Sequence, residues 1–216
     1  MKNIFLFFFL IFSTSSSIIV PSQTPQKAFE QLIEGNKRYV NQISQNHQST
    51  KELRESLITN QSPLAIIVGC SDSRVPPELI FDVTLGDLFV VRIAGNVVGP
   101  LEMESIEYAA EYLHSPLILI LGHESCGAVE AVIQNKAKDF PTLTKFIESS
   151  VLKARDSHTD HLWETAIKMN IQNSKNIVLQ SLVIQKLLQD KKIEVVSGYY
   201  NLKTGSVELL PEENSK

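Results

Sequence analysis

The sequence predicts an α/β domain with a mainly parallel four-stranded sheet flanked by helices, and a short extra edge strand near the C-terminus. Two apolar runs of strand length, residues 64–69 and 117–122, are almost entirely aliphatic, and each ends in glycine. Runs without polar alternation are typical of parallel strands that are buried on both faces. Segments with helical periodicity separate the strand-like runs along the chain, and this alternation predicts a mainly parallel sheet.

The first 22 residues carry the pattern of an export signal. Lys2 is followed by nine apolar residues, 4–12, and then by the small residues S-T-S-S-S. This layout is typical of a secretory signal peptide, and nine residues are too few for a membrane span, which needs about twenty. The alternative, a buried first strand or helix, is disfavoured by the absence of a polar face. We therefore predict a signal peptide over 1–22, a single domain over 23–216, and an exported protein, periplasmic or secreted.

The remaining elements follow from helical periodicity, capping residues and turn residues. The predicted helices cover, in chain order, residues 25–42, 52–59, a start at 76–77, 101–113 and 127–135. Residues 140–190 form a long helical segment, with predicted breaks near 156–160 and 170–176. The other predicted strands are 88–92 and 193–200, followed by a turn at 204–205 and the edge strand 206–210.

Charge and length restrict the class of protein. The formal net charge is −4, and the 20 basic and 24 acidic residues are interspersed along the chain. Without a basic stripe, nothing in the sequence predicts a nucleic-acid partner. The residues after the predicted signal are enough for one domain with a sizeable core.

Reactive side chains follow both strand-like runs. The first run leads into Cys70-Ser-Asp72-Ser-Arg74, and the second leads into His123 and Cys126. Ligands of parallel sheets bind beyond the carboxyl ends of the strands, so two distant segments can converge there. Two thiolates and one imidazole form a zinc set with an open fourth position, although two cysteines in an exported protein also commonly form a disulfide. The flanking motifs favour zinc.

Asp72 and Arg74 form a second candidate pair in the same loop. They are two residues apart, so both side chains can face one side of an extended segment. An arginine fork keeps a carboxylate ionised and oriented. The alternative is an ordinary solvated ion pair, and the adjacency to Cys70 favours a functional role.

These motifs resemble those of the beta-class carbonic anhydrases. C-S-D-S-R followed about fifty residues later by H-x-x-C-G carries the resemblance, and residues 28–40 and 86–96 extend it. It covers residues from about 25 to about 210, and predicts a backbone role for Gly95 in a turn near the site. The resemblance implies a zinc-dependent lyase for the reversible hydration of carbon dioxide to bicarbonate and a proton. It also implies one zinc ion per chain, bound by Cys70, His123 and Cys126.

The same resemblance implies roles for the remaining site residues. Asp72 is expected to accept a hydrogen bond from the zinc-bound hydroxide, and Arg74 to keep Asp72 charged and away from the metal. At lower pH the resemblance implies that Asp72 rotates onto the zinc as a fourth ligand. It further implies a substrate pocket at a subunit interface, and hence a homodimer or a larger homo-oligomer. Because no cysteine directly follows the apolar run of the signal, we predict no membrane attachment after signal cleavage.

Some details separate this sequence from parts of the family and leave alternatives open. Regulated bacterial members carry a Trp three residues before the first ligand Cys, where this chain has Ile67, although Arg92 and Tyr200 match the other two pocket residues. We therefore predict the unregulated, plant-like type.

His158 and His161 form an H-x-x-H pair, which is better explained as a solvated helix entry than as a second metal site. Carbon disulfide hydrolases resemble the family and keep its zinc ligands, so such an activity stays an alternative. A non-catalytic zinc-binding or disulfide-stapled protein is the other alternative.

Overall fold

The computed structural model describes residues 23–45 and 49–211, so the predicted signal peptide lies outside the described residues. Its strands are β1 Ala65–Gly69, β2 Leu88–Arg92, β3 Leu117–His123, β4 Glu194–Tyr200 and β5 Val207–Leu209. They form one sheet in the order β2-β1-β3-β4-β5. The first four strands are parallel, and β5 pairs antiparallel with β4. The predicted fold class is confirmed.

Eight α-helices connect and flank these strands within the described part of the chain. They are α1 Pro25–Val40, α2 Lys51–Ser56, α3 Pro77–Ile80, α4 Pro100–Glu111, α5 Gly127–Ile133, α6 Pro141–Asp156, α7 Leu162–Val178 and α8 Leu182–Gln189. Four of them begin with proline, whose fixed φ suits the first turn and whose missing N–H costs nothing there. Among the described residues, no helix is both long and apolar enough to cross a membrane.

The core of the fold explains the two aliphatic runs. Every residue of β1 and of β3 is buried, so both faces of these central strands are covered. Ile66, Ile118 and Ile120 are each 0% exposed. Burying one such side chain contributes about 1.5–3 kcal/mol, which fixes the two strands side by side at the centre of the sheet. The ends of β1 and β3 are therefore rigid supports for whatever follows them.

The α7 helix corrects one prediction. The break predicted near 170–176 is wrong, because α7 runs without interruption from Leu162 to Val178. Its polar residues Asn170 and Ser174 resemble a loop in the sequence, yet both are only 1% exposed. They donate hydrogen bonds to backbone carbonyls of another segment instead of facing solvent. The break predicted near 156–160 agrees with the gap between α6 and α7.

The first helix is fastened to the rest of the fold through one buried asparagine. Asn36 Nδ2 donates to the carbonyls of Ile80 (3.1 Å) and Gly205 (2.9 Å), and Asn36 Oδ1 accepts from the N–H of Val207 (2.9 Å). A Cβ at Gly35 would lie 1.8 Å from a backbone oxygen, so the helix packs directly against the chain after α3. These contacts join α1, α3 and the β4–β5 hairpin.

Candidate metal centre

Two loops converge at the carboxyl ends of β1 and β3. These strands are neighbours, Cys70 follows β1 directly, and His123 is the last residue of β3. Cys126 is the N-cap of α5. The two sulfurs and an imidazole nitrogen all lie within 4.8 Å of one another, and this is the only such group of three or more potential ligands in residues 23–45 and 49–211. The three residues are 5%, 1% and 2% exposed in chain order, so the structure brings the predicted set together in the interior.

The β3–α5 loop is short because its backbone turns sharply. Ser125 adopts a left-handed conformation with φ 52°, and the next residue, Cys126, is the N-cap of α5. This turn directs Cys126 back toward the imidazole of His123 instead of away from the sheet. The N–H groups at the start of α5 approach the Cys126 sulfur and lower the pKa of its thiol, but the hydrogen bond with Cys70 and burial raise that pKa overall.

His123 presents one ring nitrogen to the cluster and uses the other for support. Its Nδ1 lies 2.8 Å from the carbonyl oxygen of Glu124, which can only accept, so Nδ1 carries the proton. Nε2 is therefore the free lone pair, and it is buried without a hydrogen-bond partner among the described residues. Burial lowers the pKa of His123, but the nearby Cys70 sulfur and Asp72 carboxylate raise it by more, so the pKa lies above its ordinary value. A supported imidazole with an orphaned, buried Nε2 is the usual state of a metal ligand.

The two cysteines are free thiols that contact each other through a hydrogen bond. Both are buried, and neither forms a disulfide. A hydrogen bond from Cys126 lowers the pKa of Cys70 well below its ordinary value, and the same contact raises the pKa of Cys126. The Cys70 thiol is therefore the more acidic of the two. Two sulfurs and one unprotonated imidazole nitrogen form a donor set that fits zinc.

The Asp72–Arg74 pair lies at the mouth of the cluster. Arg74 Nε donates to Asp72 Oδ1 at 2.9 Å, and Arg74 Nη2 donates to Oδ2 at 2.7 Å. Arg74 Nη2 also donates to the carbonyl of Ser125 at 3.2 Å, which ties the two loops together. Asp72 Oδ2 is 3.9 Å from His123 Nε2, and the carboxylate faces the arginine rather than joining the three-ligand group. The Arg74 fork holds the pKa of Asp72 well below its usual range, so the carboxylate is ionised.

Arg92 has a role that the sequence did not reveal. Its Nε donates to the carbonyl of Cys70 at 2.8 Å, and its Nη2 donates to the carbonyl of Asp72 at 2.6 Å. The side chain therefore clamps the loop that carries the first ligand.

Two other positions of the regulatory pocket are Tyr200 and Ile67. Tyr200 OH lies 3.2 Å from Tyr39 OH, and Ile67 is buried within β1. The unregulated type stays a prediction, because none of these contacts tests it.

A glycine turn completes the surroundings of Cys70. Residues 94–96 form one 3-10 turn, called the 94–96 turn below, and the N–H of Gly95 donates to Cys70 Sγ at 3.2 Å. Gly95 has φ 68°, and a Cβ there would lie 3.0 Å from Ile147 Cδ1, so conformation and space both require glycine. His158 and His161, by contrast, lie on the exposed α6–α7 connection and join no metal-holding group in the described part of the chain.

Comparisons with known proteins agree with this geometry. The family described as "Carbonic anhydrase" matches residues 65–207. "Carbonic anhydrase 2" of Mycobacterium tuberculosis is 47% identical over 114 residues, which cover 53% of this chain and only 55% of that protein. The carbonic anhydrase of Mycolicibacterium smegmatis is 34% identical over 196 residues, covering 88% of this chain and 95% of that protein.

Solved structures give the same result for the fold. The beta-carbonic anhydrase CcaA is similar with a TM-score of 0.68 and 28% identity, covering 84% of this chain and 94% of that one. The Coccomyxa beta-carbonic anhydrase, solved in complex with acetazolamide, has a TM-score of 0.65 and 27% identity, covering 83% and 84%.

Proposed function

Since the chain belongs to the beta-class carbonic anhydrases, a family of lyases, we propose that it catalyses the reversible hydration of carbon dioxide to bicarbonate and a proton. One observation carries this proposal: a buried Cys70–His123–Cys126 cluster lies beside the ionised Asp72–Arg74 pair. A structural metal site needs no such carboxylate at its mouth. The paired charge therefore supports catalysis over simple metal storage.

The cofactor we propose is one zinc ion per chain, held by Cys70, His123 and Cys126. When bound there, zinc supplies a water nucleophile at neutral pH by lowering the pKa of that water towards 7. Three ligands from the protein leave a fourth position for this chemistry, as in other catalytic zinc sites. The burial of all three ligands keeps the thiolates from solvent and from oxidants.

Asp72 orients the reacting water in this proposal. Both carboxylate oxygens are engaged by Arg74, and Oδ2 is also the oxygen nearest His123, so its remaining lone pair can accept a hydrogen bond at the mouth. Arg74 keeps Asp72 charged and, through the carbonyl of Ser125, fixes it to the second loop. An acceptor held in place before the reaction costs no reorganisation when carbon dioxide arrives. A closed state with Asp72 on the metal would require breaking this fork.

We also propose that the protein is exported and forms a homodimer or a larger homo-oligomer. The export proposal depends on residues 1–22, and Edman or mass-spectrometric determination of the mature N-terminus tests it. The oligomer is supported by an apolar helix face: Leu101, Tyr108 and Tyr112 of α4 and its C-cap are 74%, 48% and 73% exposed. Light scattering of the purified mature protein measures the state, and a monomer at all concentrations contradicts the proposal.

Metal analysis coupled to two activity assays tests the function. Freshly purified mature protein should contain about one zinc per chain and should accelerate carbon dioxide hydration in a stopped-flow indicator assay. The same preparation is assayed with carbon disulfide to test the hydrolase alternative. A fully zinc-loaded protein that does not hydrate carbon dioxide would contradict the proposed activity. A native Cys70–Cys126 disulfide, detected by mass spectrometry, would contradict the proposed metal site.

A further inference from the structure

We infer that Asn170, in the middle of α7, is a positioning residue for the metal centre, acting on Cys70 through the backbone of Gly95. The inference rests on the proposed zinc site and concerns how strongly that site holds its metal. Two contacts carry it. Asn170 Nδ2 donates to the carbonyl of Gly95 at 2.7 Å, and the N–H of the same Gly95 donates to Cys70 Sγ at 3.2 Å.

The 94–96 turn needs an external anchor because its backbone is not held by a regular helix. Gly95 and Asn96 both have positive φ values, 68° and 46°, so their carbonyls do not point along a common helical axis. Buried carbonyls require donors, and α7 supplies them. Asn170 Nδ2 binds the carbonyl of Gly95, and Ser174 Oγ, one helical turn later, binds the carbonyl of Asn96 at 2.9 Å. Two side chains of α7 thus fix two of the three residues of the turn.

The position of α7 is itself fixed against the strand that carries His123. Ile171 is 0% exposed, and a Cβ at Gly122 would lie 2.4 Å from its side chain, so α7 contacts β3 directly at this point. Asn170 is the residue before Ile171. Helix α7 therefore connects the end of β3 to the 94–96 turn, and it sets the position of the N–H that approaches Cys70.

Stability alone does not explain an asparagine at this position. Asn170 is 1% exposed, and its Oδ1 has no hydrogen-bond partner in the part of the chain that the structure describes. A buried unsatisfied acceptor is unfavourable, and asparagine is a poor helix former. The side chain makes one strong contact, with the carbonyl of Gly95. That contact fixes the backbone of Gly95 and thereby the direction of its N–H, which belongs to the preceding peptide group and points at the Cys70 sulfur. Partners behind the ligands typically affect metal affinity.

The first experiment compares two matched substitutions. Asn170→Leu keeps a similar branched shape and removes the donor. Asn36→Leu is the control, because Asn36 is also buried in a helix and also donates to backbone carbonyls, but its partners belong neither to the proposed ligands nor to the 94–96 turn. Competition with a chromophoric chelator should show zinc binding roughly 10- to 100-fold weaker in Asn170→Leu. Asn36→Leu loses more hydrogen bonds yet should bind zinc as the wild type does. Equal losses in both variants would overturn the inference.

A spectroscopic measurement separates positioning from general destabilisation. In cobalt-substituted protein, a lost N–H···S contact makes the Cys70 thiolate more electron-rich. The sulfur-to-cobalt charge-transfer band should therefore move to lower energy in Asn170→Leu and stay unchanged in Asn36→Leu. An unshifted band in Asn170→Leu overturns the inference even if zinc affinity falls.

An experiment on the wild-type chain decides the matter if Asn170→Leu does not fold. In protein loaded with an NMR-active cadmium isotope, the Gly95 amide proton should show scalar coupling to the metal across the hydrogen bond to sulfur. Absence of that coupling in a well-resolved spectrum overturns the inference. A wild-type protein that binds neither zinc nor cadmium would instead contradict the proposed function. The two failures are thus distinguishable.

Discussion

The two halves of the metal centre differ in their contact with solvent. The proposed ligands Cys70, His123 and Cys126 are between 1% and 5% exposed. The side chains of Asp72 and Arg74 are 17% and 51% exposed, although they belong to the same loop as Cys70. Packing holds the ligands, whereas charge and hydrogen bonds hold the pair. Metal capture and turnover should therefore respond to different substitutions, and the following predictions test that separation.

The largest effect is expected at a ligand. Cys126→Ser replaces a thiolate with a hydroxyl that stays protonated, so zinc content and carbon dioxide hydration should be lost together. The loss of affinity should exceed the roughly 10- to 100-fold that is typical of contacts behind the ligands. Elemental analysis and the stopped-flow assay measure both quantities. Normal zinc content in this variant would show that Cys126 is not a ligand.

A smaller but selective effect is expected at Asp72. Asp72→Asn preserves size and removes the charge, so zinc content should stay near normal because the three ligands are untouched. Carbon dioxide hydration should fall by about tenfold or more, since one preorganised acceptor is lost. Ser73→Ala, an exposed neighbour in the same loop, is the control and should keep both metal and activity. Full activity in Asp72→Asn with normal zinc would reduce the pair to a surface ion pair.

At neutral pH, removal of Arg74 should lower the activity less than removal of Asp72 does. The loss caused by removing Arg74 should grow as the pH falls. Arg74 holds the pKa of Asp72 below its ordinary value of about 3.9. A carboxylate whose pKa is lower in the folded than in the unfolded state stabilises the fold at any pH above its unfolded-state pKa. This stabilisation is lost as the pH falls through the folded-state pKa. In Arg74→Ala the pKa of Asp72 should rise, so the acid limb of the pH–rate profile should move to higher pH. An unchanged acid limb would contradict this link.

The smallest effect is expected at Ser174. Ser174→Ala removes the hydrogen bond to the carbonyl of Asn96 but leaves Asn170 and Gly95 in contact. The free energy of unfolding should fall by about 0.5–1.5 kcal/mol, which urea titration measures. Zinc affinity should fall less than in Asn170→Leu. If zinc affinity fell more in Ser174→Ala than in Asn170→Leu, Ser174 and not Asn170 would be the main anchor of the 94–96 turn.

Much of the centre could be predicted because each strand and the reactive residues at its end lie in one short stretch of sequence. Aliphatic runs predict buried parallel strands, and parallel strands bring their carboxyl ends to one edge, so Cys70 and His123 could be placed together from the sequence. The bounds of β2 agree with the predicted 88–92. The catalytic assignments of Asp72 and Arg74 stay predictions that the experiments above address.

The contacts that support the centre could not be predicted, since they depend on packing between distant segments. Asn170 and Ser174 carry the same polarity as a loop, and only the position of α7 against Gly122 makes them interior donors. Arg92 ends an edge strand, and its contacts with two carbonyls of the Cys70 loop depend on the turn that follows β1. The periodicity of the sequence cannot reveal either arrangement, because both are contacts between distant segments.

The order of the strands would also give a bound metal a mechanical role. Cys70 and His123 lie at the ends of neighbouring strands in the sheet, but about fifty residues, including β2 and α4, separate them along the chain. An ion bound to both closes that long loop, and cross-links across long loops restrict the unfolded chain most strongly. Zinc would thus act as a reversible staple between β1 and β3. Its loss would remove a cross-link that spans a whole crossover unit rather than a single loop.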